Sequence, residues 1–204
     1  TIGITAYNES KNIRALLKAL TSQIHSVSVL EKIIVISDGS KDSIFSEINA
    51  VNDKRIELIQ YMQRRGKPYR LNELASRNNS DVLLLVDADV IPKDSHFVEK
   101  MIVGFLSEPN VGIVSPTVTP VEAATLFEKV INSSVEFKKR IFESFNNQKN
   151  IYLCHGRARA FSKEFLNEFR WENVVCEDAY SYLHCLKNGY EFNYLLGNSE
   201  LKPE

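Results

Sequence analysis

Short apolar runs alternate along this chain with stretches whose apolar residues recur every three or four positions. Residues 2–6, 32–37 and 56–60 and the run Val82-Leu83-Leu84-Leu85-Val86 read as strands. Near-continuous Val, Ile and Leu mark strands covered on both faces. Between them, 11–21 carries Ile13, Leu16, Leu17 and Leu20 at helical spacing, continued by Ile24, with Ser10 or Asn8 in cap position. A second helix over 41–51 carries Ile44, Phe45, Ile48 and Val51, and 69–77 is a short third. The span 94–106 turns Phe97, Met101, Ile102 and Phe105 to one face. Strand and helix in alternation predict an α/β protein with a mostly parallel sheet flanked by helices.

The second half is less regular. A strand is predicted over 111–118, and 121–145 reads as one long helix or two, with Leu126, Phe127, Val130, Ile131, Val135, Phe137, Ile141 and Phe142 as apolar positions. Residues 152–153 and 158–161 are short strand candidates, and Ser162 caps a helix over 163–169. A helix over 177–188 is stopped by Gly189. A last strand covers 192–196. There is no internal repeat, low-complexity segment or linker, so 1–204 reads as one domain, with halves 1–110 and 111–204. Thr1 is no start methionine, Ile2 already lies in a strand, and 201–204 stop without a tail, so the chain is expected to be a fragment of a larger enzyme.

Composition narrows the function. Lys plus Arg number 25 against 26 Asp plus Glu, a net charge of −1, which argues against a nucleic-acid or membrane-surface binder. The three cysteines, Cys154, Cys176 and Cys185, include no C-x-x-C pair, which points to a reducing, cytoplasmic setting. A zinc site from them with His155 and His184 lacks ligand-pair spacing. No apolar run approaches the ~20 residues of a membrane helix. Association with the cytoplasmic face of a membrane would fall to segments outside this chain.

Candidate chemistry gathers where strands end. After Val86 come Asp87 and Asp89, and Pro92 closes the segment. Ligands of open α/β sheets bind outside the carboxyl ends of the strands. Two carboxylates there suit Mg²⁺ or Mn²⁺, which take hard oxygen ligands together with substrate phosphates. A solvated strand end is the competing reading. The first strand runs into Thr5-Ala6-Tyr7-Asn8-Glu9 and the second into Asp38-Gly39-Ser40. Asp38 suits a base N–H and Gly39 a close backbone approach, although the pair also makes an ordinary turn. Neither G-x-G-x-x-G nor a P-loop is present, so phosphates would need a metal and basic side chains. Arg64, Arg65, Lys67 and Arg70 supply positive charge, mostly as a solvated face, with Lys67 singled out. Glu177-Asp178 opens a helix, where a carboxylate serves either as a general base or as a cap. Trp171 suits stacking on an acceptor sugar or packing in the core.

The ordered set Ile4-Thr5-Ala6-Tyr7-Asn8-Glu9, Ile36-Ser37-Asp38-Gly39-Ser40-Lys41-Asp42, Gly66-Lys67 with Leu71-Asn72, Leu85-Val86-Asp87-Ala88-Asp89 and Glu177-Asp178 with Gly189-Tyr190 resembles family 2 glycosyltransferases over nearly the whole chain. The resemblance implies the GT-A fold, a nucleotide-sugar donor, a divalent metal and inversion at the anomeric carbon. It implies that Thr5, Tyr7 and Glu9 line the nucleobase and ribose site, that Asp38 meets uracil and that Lys67 lies near the nucleotide. Asp87 is implied near ribose and metal, Asp89 as the principal metal ligand and Asp178 as the catalytic base. Glu177 and Arg157, the latter within the acceptor-side segment Gly156–Phe161, fall to the acceptor, a glycan or lipid. Ser37 departs from the family's first Asp. The Q-x-x-R-W element of membrane-integrated synthases is absent and would fall beyond Glu204.

Three rival readings remain. A haloacid-dehalogenase-like phosphatase also carries D-x-D after a strand, but at the start of its domain and without Ile at the position of Ile91. A glycosyltransferase-like domain without turnover would not need both Asp89 and Asp178. Nucleotidyltransferases need a Gly-rich amino-terminal loop that is missing here.

Overall fold

A computed structural model describes residues 1–120, 122–196 and 201–203. In chain order the elements are β1 (Ile2–Ala6), α1 (Ile13–Thr21), β2 (Ile33–Asp38), α2 (Ile44–Asn49), β3 (Ile56–Tyr61), α3 (Lys67–Arg77), β4 (Val82–Asp87), β5 (Val90–Pro92), α4 (Phe97–Val103), β6 (Val111–Pro116), α5 (Leu126–Ser144), β7 (Ala158–Ser162), α6 (Lys163–Glu168), α7 (Glu177–Lys187), β8 (Glu191–Leu195) and β9 (Leu201–Pro203). Seven strands form one sheet in the order β3-β2-β1-β4-β7-β6-β8. β3, β2, β1 and β4 run parallel, β7 runs antiparallel to both of its neighbours, and β6 and β8 are parallel. The sheet is continuous across the two predicted halves. This is the mostly parallel, helix-flanked α/β architecture read from the strand–helix alternation.

Period-2 alternation sorts the strand side chains between two layers. Ile2, Ile4, Ile33, Val35, Leu84, Val86, Ala158 and Ala160 face one layer, which α1, α2 and α4 cover with Leu16, Leu17, Ile44, Phe97 and Met101. Ile34, Ile36, Leu83, Leu85 and Phe161 face the other, covered by Leu71 and Leu74 of α3, Phe165 of α6 and Tyr182 of α7. Burial on both faces explains why the parallel strands read as unbroken apolar runs.

Several expectations are corrected. α1 starts at Ile13, after an Asn12 cap whose side chain makes no capping bond, and Ile24 and Phe45 are exposed. Residues 151–153 form a 3₁₀ turn and not a strand. The segment after Asp89 forms β5, which pairs antiparallel with β9, so 201–203 continue the fold where a bare end was expected. The long helix is single. It starts at Thr125 with a capping box in which the Thr125 hydroxyl accepts from the Glu128 N–H and the Glu128 carboxylate accepts from the Thr125 N–H. Val121, the predicted helix start, lies outside the described residues. No residue of α5 is buried: Leu126 is 79% and Phe137 66% exposed, and Phe142 alone of its predicted apolar positions packs partly against the core, stacked on Tyr152 at 4.4 Å. Among the described residues, no helix is long and apolar enough to cross a membrane.

Candidate active site

The carboxyl ends of β1, β2 and β4 lie side by side, because β1 pairs with both of the others: Thr5 stands opposite Ile36 and Asp87, and Ala6 opposite Ser37. Together with the start of α3 they line a cleft of 320 Å³. Thr5, Tyr7, Glu9, Asp38, Lys67, Asp87 and Asp89 all line it. All seven predicted donor-side residues, scattered over some 85 positions, are thus brought to one edge.

Asp38 is nearly enclosed. Its Oδ1 accepts from the Arg65 N–H at 3.0 Å and from Arg70 Nε at 2.7 Å, and its Oδ2 accepts from the Gly66 N–H at 2.7 Å. Burial pushes this carboxyl up, but the bonds from Arg65, Arg70 and Gly66 prevail and hold it below the ordinary range. Asp38 therefore anchors the 62–66 loop. Arg70, only 2% exposed, continues the network to Glu73 at 2.9 Å and lies over the Tyr61 ring. Gly39 sits at φ +79°, and a Cβ there would lie 2.9 Å from the Arg64 backbone nitrogen. The turn after β2 thus needs glycine both for its backbone angle and for the close approach of the loop. Arg64 then lays its guanidinium 3.9 Å over the Tyr7 ring. Ser37, the departure from the family pattern, is buried and donates to the Ser40 hydroxyl at 2.9 Å.

The second half of the chain meets the cleft through Lys67 and Asp87, which line it. Lys67 Nζ bridges Asp87 Oδ1 at 2.7 Å and Glu177 Oε1 at 2.9 Å. Asp178 Oδ2 accepts from the Gly156 N–H at 3.1 Å, and its Oδ1 accepts from the Ala179 N–H at 2.8 Å. A Cβ at Gly156 would meet Glu177 Oε1 at 3.0 Å, Lys67 Nζ at 3.5 Å and Asp178 Oδ2 at 3.7 Å. Gly156 thereby leaves open the small space among these three groups. The Asp87 N–H donates to the Arg157 carbonyl at 2.8 Å, tying the acidic turn to the segment before β7.

Burial pushes the Asp87 carboxyl up; Lys67 opposes the rise and Asp89 adds to it. Glu9 is raised chiefly by burial, with Asp89, Asp42 and Asp87 adding to the rise against a hydrogen bond from Asn12. Such crowded carboxylates favour a divalent cation. Among the described residues no cluster of three protein ligands exists. Asp87 and Asp89 therefore fit an Mg²⁺- or Mn²⁺-type site completed by diphosphate oxygens and water, and not an all-protein cage.

Of the predicted acceptor-side residues, Trp171 lies in the core and Arg157 at the surface beside Asp87. Trp171 is 3% exposed, with its ring edge-on to Phe161 and Phe169, and its backbone exchanges hydrogen bonds with the Asn72 side chain. It belongs to the aromatic core. Arg157 is exposed and makes its described contact through its carbonyl. His155 donates from Nε2 to the Pro116 carbonyl at 3.0 Å, and burial lowers its pKa to about 4, so it stays neutral. The sequence reading took Arg64 and Arg70 for part of a mostly solvated basic face and gave Arg159, within the acceptor-side segment, no role. Arg70 follows Lys67 by three and directly precedes Leu71, and Arg159 alternates with Phe161, so both stand at inward positions of their elements. An arginine at an apolar phase was the available signal.

This mostly parallel sheet, with acids at its strand ends and a second acidic pair joined to them through Lys67, has the architecture of the GT-A fold. The model of Glycosyl transferase family 2 matches residues 1–170, and the chain belongs to that family. Membership sets aside the phosphatase and nucleotidyltransferase readings. Among solved structures it is similar to a mannosyltransferase from Pyrobaculum calidifontis in complex with GDP-Man and Mn²⁺, at 18% identity and TM-score 0.74, covering 98% of this chain and 55% of that one. It is similar to glucosyl-3-phosphoglycerate synthase from Mycobacterium tuberculosis in complex with Mn²⁺, UDP and phosphoglyceric acid, at 14% identity and TM-score 0.70, covering 95% of this chain and 66% of that one. A third is S. aureus TarS 1-349, at 17% identity and TM-score 0.71, covering 99% of this chain and 59% of that one. The chain thus spans between about half and two thirds of these proteins' length. No curated protein sequence matches it significantly.

Proposed function

We propose that this domain transfers a sugar from a nucleotide-sugar, a UDP-sugar by preference, to a hydroxyl of a glycan or lipid acceptor, with inversion and with a divalent metal. The observation that carries the reading is the Lys67 bridge. It joins Asp87 on the donor edge to Glu177, the neighbour of Asp178, across the open space at Gly156. The solved neighbours bound to GDP-Man or UDP with Mn²⁺ support a sugar-nucleotide donor of this general kind.

In this reading Thr5, Tyr7 and Glu9 receive the base and ribose. Asp38 contributes to uracil selection by holding the 62–66 loop, with its own oxygens already engaged. Asp89, with Asp87, holds the cation, which supplies Lewis-acid neutralisation of the leaving diphosphate when bound. Lys67 adds a second positive charge on the same side. Asp178 takes the proton of the acceptor hydroxyl as its oxygen bonds to the anomeric carbon and the bond from that carbon to the diphosphate oxygen breaks. Arg157 and Glu177 flank the acceptor's approach.

Calorimetric titration with UDP and GDP, with and without Mn²⁺, tests the donor assignment. UDP is expected to bind more tightly than GDP, and only with the metal. Asp89→Ala should lose the metal-linked affinity while its melting temperature is kept. Equal affinity for the two nucleotides would remove the uridine assignment, and unchanged Mn²⁺ linkage in the variant would move the metal elsewhere.

A further inference from the structure

We infer that Arg159 is a positioning residue of this site: it fixes Glu177 and the first turn of α7, and through them places Asp178 and Lys67. Its catalytic meaning rests on the reading proposed above; its structural meaning does not.

Arg159 lies in the middle of β7, opposite Leu85 of β4, and shares a sheet face with Phe161. It is 1% exposed. From there its guanidinium reaches the start of α7 at several points. Nη1 donates to the Ser181 hydroxyl at 2.7 Å and to the Glu177 carbonyl at 3.4 Å. Nη2 lies 3.5 Å from Glu177 Oε1. The Ser181 hydroxyl passes the contact on, donating to the Asp178 carbonyl at 2.8 Å. Both backbone carbonyls of the acidic pair are thus tied to one buried cation.

Stability alone does not account for this arrangement. A guanidinium inside a central strand loses its hydration, and its Nε finds no partner among the described residues. Apolar residues of similar volume are often as good or better at buried ion-pair positions. The gain is in geometry. Arg159, Glu177, Lys67 and Asp87 form a line of alternating charge from the sheet interior to the donor edge. Without Arg159, Glu177 would depend on Lys67, which Asp87 also claims. The turn that aims Asp178 at the Gly156 N–H would then be free to shift.

Arg159→Met, Arg159→Lys, Glu177→Gln and the Arg159→Met/Glu177→Gln pair test the assignment. Amide hydrogen exchange followed by NMR needs no substrate. Arg159→Met should speed exchange at Gly156 and in the first turn of α7 at least tenfold, while amides of β1 and β2 keep their protection. Arg159→Lys should fall between it and the parent, and carries the same comparison should Arg159→Met not fold. In UDP release from a UDP-sugar with Mn²⁺, kcat should drop at least tenfold in Arg159→Met with the donor KM within threefold. Adding Glu177→Gln should then cost little more, because the two side chains act through each other. Unchanged exchange at Gly156 and α7, or multiplicative losses in the pair, would overturn the positioning role. If the parent binds no UDP, the proposed function fails while the exchange comparison still decides the role of Arg159.

Discussion

Two carboxylates show how different single residues around one site can be. Asp178 reaches the open space left by Gly156 and is held by backbone N–H groups. Asn keeps that shape and one acceptor oxygen for these N–H groups, but it cannot take up a proton as a carboxylate would. Asp178→Asn is therefore expected to keep donor affinity and melting temperature while transfer falls roughly 10²–10⁴-fold. Near-parental turnover would assign Asp178 to capping. Asp38 is the opposite case, a carboxylate enclosed by the groups it organises. Asp38→Asn leaves the buried Arg70 with Glu73 as its one carboxylate partner and should cost about 3 kcal/mol, the low end for breaking a buried pair. The pH dependence follows in sign. The folded-state pKa of Asp38 is depressed, so its contribution is present above the unfolded value near ~3.9 and is lost as pH falls through the depressed value. Acid unfolding curves should show the parent losing part of its advantage over Asp38→Asn below about pH 4. Parallel curves would remove this linkage.

At the scale of elements, the turn after β2 couples backbone to site. Gly39→Ala puts a methyl against the Arg64 nitrogen at a φ of +79°. The left-handed strain alone costs about 1–2 kcal/mol, and relief requires the 62–66 loop to move. The variant is expected to melt several degrees lower and to bind UDP more weakly, since Arg64 on Tyr7 and the bonds to Asp38 shift with the loop. Unchanged UDP affinity in a destabilised variant would separate the loop from the donor site. α5 shows what elements leave unsaid. Its capping box and apolar spacing define a helix with a wide apolar arc, but no element among the described residues covers that arc. Periodicity reports which face seeks cover, not whether the cover lies within these residues.

Across the whole molecule, the cleft is made of four segments that meet only in the folded state, so a ligand there should stabilise that state as a unit. At a hundredfold excess over Kd, UDP with Mn²⁺ should add about 2.7 kcal/mol, a rise of roughly 5–11 °C for a chain of this size. Asp89→Ala should abolish that rise; the same shift in the variant would place the ligand elsewhere. The sequence by itself determined the strand–helix alternation of the first half, the burial of its strands on both faces and the residues that gather at their carboxyl ends. Strand burial and turn chemistry are local, and parallel pairing brings successive strand ends together. It also determined the family, because short motifs in order survive where overall identity is low. Only the tertiary structure decided that Trp171 is core, that Arg70 and Arg159 are buried, and that Lys67 joins Asp87 to Glu177. Each depends on contacts between residues distant in the chain, such as those between Lys67 and Glu177, and on which buried charges find partners. Neither is written in the period of an element.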